Sequence, residues 1–136
     1  MTLEQSYRQY AGDIQATLGR LPWSSIDALL ALLHDARMND RQVIIFGNGG
    51  SAATASHMAC DLGKNTAVPG QPRFRVLALV DNMPAVSAIA NDLGYEHVFT
   101  EQLMNFLRRR DVVIAISTSG NSPNVVNAVE YAIGAG

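Results

Sequence analysis

Apolar side chains fall at Leu3, Tyr7, Tyr10, Ile14 and Leu18, three or four positions apart. That spacing predicts one amphipathic helix over 3–18. Pro22-Trp23-Ser24 interrupts it, and Ser24 or Ser25 is expected to cap a second helix carrying Ile26, Leu29, Leu30 and Leu33. The period then changes. "QVIIF" at 42–46 is a short β-branched run suited to a strand buried on both faces. Small residues at 52–62 read as a helix, "FRVLALV" at 74–80 as a second strand, 83–91 and 96–109 as helices, and "DVVIAIS" at 111–117 as a third strand. A last helix is expected from about 122.

Strands alternating with helices predict an α/β fold: a doubly wound, flavodoxin-like parallel sheet with helices on both faces. The two leading helices form an N-terminal region over 1–40, and the α/β core of the same single domain occupies 41–136. They are expected to pack on their own sheet or in a bundle with another chain. Three strands are few for a parallel sheet, so further strands are expected beyond residue 136.

Composition narrows the class. The chain has 136 residues with 10 basic and 12 acidic side chains, so no basic excess marks a nucleic-acid surface. The cluster Arg108-Arg109-Arg110 reads as a helix C-terminus, where cations complement the dipole. No apolar run approaches the ~20 residues of a membrane span, and the first residues lack the pattern of a signal peptide. A single cysteine, Cys60, excludes an internal disulfide and points to a cytoplasmic setting; it is expected to be a buried thiol. Trp23 is expected to pack between helices.

Two stretches carry candidate chemistry. "GNGGSAATASH" at 47–57 and "STSGNS" at 117–122 each follow a strand. In an open parallel sheet, ligands bind outside the carboxyl ends of the strands. Glycines let the backbone approach a ligand, and the unpaired N–H groups of the next helix favour an anion. Ser117, Thr118, Ser119 and Ser122 add hydroxyl donors suited to a phosphate ester, although glycine and serine also make ordinary turns and caps. The first loop has neither the Gly-Lys-Ser/Thr of a P-loop nor a complete dinucleotide fingerprint. His57 and Asp61 stand four apart on the helix after it, able to share a metal, act as acid and base, or form a local hydrogen bond. Asp81-Asn82 reads as site lining or a helix N-cap, and Lys64 could approach a phosphate.

"GNGGSAATASH", "AIANDLGYEHVF" and "AISTSGNSPNVVNAV" together resemble the SIS (sugar isomerase) domain family over nearly the whole chain, with its phosphoheptose isomerase branch the most similar. The resemblance implies an aldose–ketose isomerase that converts sedoheptulose 7-phosphate to a heptose 7-phosphate through an enediol, or a non-catalytic module that binds a sugar phosphate. By the same resemblance, Asn48, Gly49, Gly50 and Ser51 contact substrate. Ser117, Thr118, Ser119 and Ser122 hold the phosphate, and Asn91 and Asp92 meet the sugar. His57 binds zinc. Asp61 stands where the family has a glutamate that is both metal ligand and proton-transfer base. The remaining zinc ligands, a glutamine and a histidine, belong to a more C-terminal segment of the family. A homotetramer with sites between subunits is implied as well.

Overall fold

The computed structural model describes residues 2–136, which form two compact units, one up to Ala31 and the other Leu32–Gly136. In the first unit, α1 (Leu3–Leu18) starts at a capping box. Thr2 Oγ1 accepts the Gln5 amide at 3.2 Å, and Gln5 Oε1 accepts the Thr2 amide at 2.8 Å. The stripe of Leu3, Tyr7, Tyr10, Ile14 and Leu18 is present and exposed throughout. α2 (Trp23–Met38) begins earlier than the serines suggest. The Ser25 and Ile26 amides both donate to the Pro22 carbonyl, so Ser24 and Ser25 lie inside the first turn and not at its cap. Trp23 is 60% exposed, a correction to the packed position expected from its bulk.

The second unit is built on three parallel strands in the order β2-β1-β3: β1 (Gln42–Gly47), β2 (Arg75–Ala78) and β3 (Val112–Ile116). Alternation along β1 divides the core. Val43 and Ile45 face a cluster with Leu33 and Ala36 of α2, Ala55 of α3 (Gly50–Cys60) and Val112. Ile44 and Phe46 face the other side, against Leu79, Val98, Phe99, Leu103, Val125 and Ala128. Those partners include residues of α5 (Thr100–Phe106) and α6 (Pro123–Ala135), and side chains of α4 (Met83–Asp92) pack at the edge of the same cluster. Helices cover both faces, as a doubly wound sheet requires. Phe46 and Phe99 stack with ring centroids 4.8 Å apart, both buried. Phe46→Ala is expected to cost about 3–5 kcal/mol and lower the thermal midpoint by about 10 °C; denaturation monitored by far-ultraviolet circular dichroism measures this.

Three departures from the expected elements have local causes. α3 ends at Cys60 and passes into a π-helical turn, Asp61–Asn65, closed by the Thr66 amide on the Asp61 carbonyl at 3.3 Å. The helix expected over 96–109 is a 3₁₀ turn at Tyr95–His97 and then the short α5. Leu107 is extended, and the Asp111 carboxylate organises the residues after it by accepting the Arg108 amide at 2.8 Å and the Gln42 amide at 2.9 Å. Arg108, Arg109 and Arg110 therefore form a turn held to the sheet, with Arg110 at φ 72°, and not the last turn of a helix. Cys60 is exposed, because the sheet-facing side of α3 is taken by Ala55, Met58 and Ala59.

Candidate functional site

β1 leads into α3 on one face of the sheet, whereas β3, its neighbour, leads into α6 on the other. The chain thus leaves two adjacent strand ends in opposite directions and opens a crevice between them. Both expected loops border it. At the floor, Gly47 lies so close to β3 and α3 that a Cβ would stand 2.6 Å from the Ile116 carbonyl oxygen and 2.8 Å from Ser51 Cβ. Gly49 turns the chain at φ 54°, a conformation costly for residues with a side chain. Opposite, Ser117 Oγ accepts the Gly120 amide at 3.1 Å and Ser119 Oγ accepts the Asn121 amide at 3.2 Å. Each hydroxyl keeps its own proton to donate. Thr118 is exposed, and half-buried Ser122 precedes α6 without a side-chain capping bond.

Two hollows occupy the crevice. The larger, about 620 Å³, is lined by Asn48, Tyr95, Glu96, Ser122, Asn124 and Asn127, among others. The smaller, about 270 Å³, lies against Gly47, Asn48, Gly49, Val80, Met83 and Tyr95. Among the described residues lining them, none is lysine or arginine. An anion held there would rest on neutral donors, with the Glu96 carboxylate favouring cations at one side. Lys64 is exposed on the π turn and lines neither hollow.

His57 and Asp61 line a third hollow of about 540 Å³, with Thr54, Met58, Leu62, Asn65 and Thr66. His57 Nε2 is 3.4 Å from Asp61 Oδ2, and Asp61 Oδ1 accepts Asn65 Nδ2 at 2.6 Å. Two ligands held at about 2 Å by a tetrahedral zinc stand about 3.4 Å apart. The pair therefore has the donors and the spacing of half a zinc site. Among the described residues, no third histidine, cysteine, aspartate or glutamate joins it. The same pair can also shuttle a proton.

Other expected residues fall elsewhere. Asn91 and Asp92, at the exposed end of α4, bond each other at 2.7 Å and line neither crevice hollow. Asn82 caps α4 by accepting the Ala85 amide at 3.2 Å. Two residues that sequence reasoning passed over meet Asn48. Asn124 exchanges two hydrogen bonds with it, both 2.9 Å, and the Tyr95 hydroxyl donates to Asn48 Oδ1 at 3.0 Å. Asn48 and Asn124 are separated by 76 positions, a pairing that no local pattern signals.

The SIS domain family matches residues 6–136. The phosphoheptose isomerase of Azoarcus sp. (strain BH72) is 34% identical over 132 residues, covering 96% of this chain and 66% of the relative. The solved structure of phosphoheptose isomerase GmhA from Neisseria gonorrhoeae superposes with a TM-score of 0.80 at 35% identity, covering 97% of this chain and 69% of that one. That of a phosphoheptose isomerase from Francisella tularensis gives 0.87 at 27% identity, covering 99% and 72%. The chain spans about two thirds or less of the length of the curated relatives it matches.

Proposed function

Because the chain belongs to the SIS domain family, we propose that it is the greater part of an aldose–ketose isomerase acting on sedoheptulose 7-phosphate. The observation that carries this reading is the crevice at the β1–β3 strand ends, lined by Asn48 and Gly49 of the glycine loop and Ser122 of the hydroxyl loop. The phosphate would accept from Ser117, Thr118, Ser119 and Ser122, while the open backbone at Gly49, Gly50 and Ser51 admits the sugar. Anchoring the phosphate end fixes the reacting carbons relative to the chain. Asn48 borders the sugar, and Asn91 and Asp92 are proposed to reach it near its reacting end.

Asp61 is the proposed base. Its carboxylate takes a proton from C1 of the ketose, leaving an enediolate with the charge on O2. Return of that proton to C2, with the O1 proton passing to O2, yields the aldose with no change in composition. The bond from Asn65 holds the carboxylate against His57, so that one oxygen stays turned to the imidazole. His57 and Asp61 would hold zinc, further ligands coming from outside the pair; when bound, the metal supplies polarisation of the ketose carbonyl. A homotetramer in the cytoplasm is the proposed setting, and contact between copies would cover the apolar stripe of α1. Among the described residues no helix is long and apolar enough to cross a membrane.

A non-catalytic module that binds sugar phosphate is the second reading, favoured by aspartate at position 61 where the resemblance implies a glutamate. Isomerisation of sedoheptulose 7-phosphate by the full-length protein, with and without zinc, decides between them. Metal-dependent turnover is expected. No turnover, with the sugar phosphate still raising the melting temperature, would establish the binding module instead.

A further inference from the structure

We infer that Asn124 and Tyr95 are positioning residues that clasp Asn48 and thereby lock the glycine loop after β1 to the hydroxyl loop before α6. The two carboxamides face each other and exchange both bonds, a closed ring that also survives turning both amides over together. Asn124 is 2% exposed and half-buried Asn48 is its partner on both polar atoms, so the pair is a part-buried contact and not a chance surface meeting. Tyr95 adds its hydroxyl from the 3₁₀ turn, and that turn is tied to α6 by Asn127 Nδ2 on the Glu96 carbonyl at 3.4 Å. Three segments distant in the chain thus converge on one side chain.

The loop backbone depends on the same residue. The Ser51 amide donates to the Asn48 carbonyl at 2.9 Å and the Ala52 amide at 3.3 Å. Fixing the Asn48 side chain therefore fixes the residue on which the first turn of α3 hangs. Amides paired this way resist separation, because opening the ring leaves the buried Asn124 carboxamide without partners. Neither Asn124 nor Tyr95 needs to touch the ligand. Their role is to hold the two halves of the seat at one spacing.

The ligand part of this inference rests on the sugar-phosphate reading; the mechanical part does not. The experiment therefore has two arms on the full-length protein, both run well below each variant's melting temperature. Hydrogen exchange without ligand reads the mechanical arm: Asn124→Ala is expected to speed exchange at Ser51 and Ala52, on the far side of the crevice and remote in the chain. Calorimetric titration with sedoheptulose 7-phosphate reads the other. Asn124→Ala and Asn48→Ala are each expected to weaken binding about tenfold, and the double variant no more than either single one. Tyr95→Phe, at an exposed position that tolerates the change, should show the same two effects at about threefold. Unchanged exchange at Ser51 and Ala52 would overturn the clasp, as would additive losses in the double variant. If the unaltered protein binds no sugar phosphate, the function proposed above fails while the exchange arm still decides the clasp.

Discussion

Replacing Asp61 by asparagine is expected to lower turnover of sedoheptulose 7-phosphate by at least about 100-fold, the usual contribution of a positioned base. The substitution keeps shape and removes the negative charge, and with it both the capacity to carry the proton and the carboxylate proposed to hold zinc. Asp61 is half exposed on its side chain and sits on a turn whose backbone bond uses its carbonyl, so folding is expected to change little. Binding of the sugar phosphate should stay within about threefold, because the hydroxyls proposed to anchor it lie on another loop. Steady-state kinetics paired with calorimetric titration separates the two quantities. Turnover retained in Asp61→Asn would remove the carboxylate from the mechanism.

Gly47→Ala should have the largest effect on the fold of any conservative change in the loops. The added methyl would lie 2.6 Å from the Ile116 carbonyl oxygen and 2.8 Å from Ser51 Cβ, both fixed to backbone. Either β3 must shift within a sheet paired along its length or α3 must lift from its start. Overpacking of this kind costs about 1–3 kcal/mol and sometimes more. Since the displaced atoms border the crevice, sugar-phosphate affinity should fall with stability. Gly50→Ala is the control, with nothing within 4 Å of the added carbon and no loss of stability expected. Chemical denaturation of both variants tests the contrast, and equal stabilities would contradict the steric account.

Legibility along the chain tracks the range of the forces involved. The α1 stripe and the β1 run were legible because a single periodicity governs each. The two loops were legible because both, rich in glycine and serine, follow strands of one parallel sheet, where either alone could be an ordinary turn or cap. The π turn at Asp61–Asn65 was not, since one extra residue per turn leaves no compositional mark. Nor was the early end of α5, which depends on Asp111 accepting two backbone amides, one of them from Gln42. Trp23 and Cys60 were assigned to packed positions by residue type, and their exposure reflects which face of each helix the neighbouring elements cover. Asn124 had no signal of its own, because a buried amide declares itself only through its partner.

The Asn48–Asn124 ring also bears on how the protein ages. Asn48 precedes Gly49, the dipeptide most open to deamidation, in which the next residue's backbone nitrogen attacks the side-chain carbonyl carbon and expels ammonia. That attack requires the carboxamide to swing back over its own chain. Here it is held outward by Asn124 and Tyr95. The clasp would therefore act as a chemical preservative as well as a mechanical one: while it stays closed, the Asn48 carboxamide is kept from the Gly49 nitrogen. Once opened, it would let a carboxylate form at the border of the β1–β3 crevice.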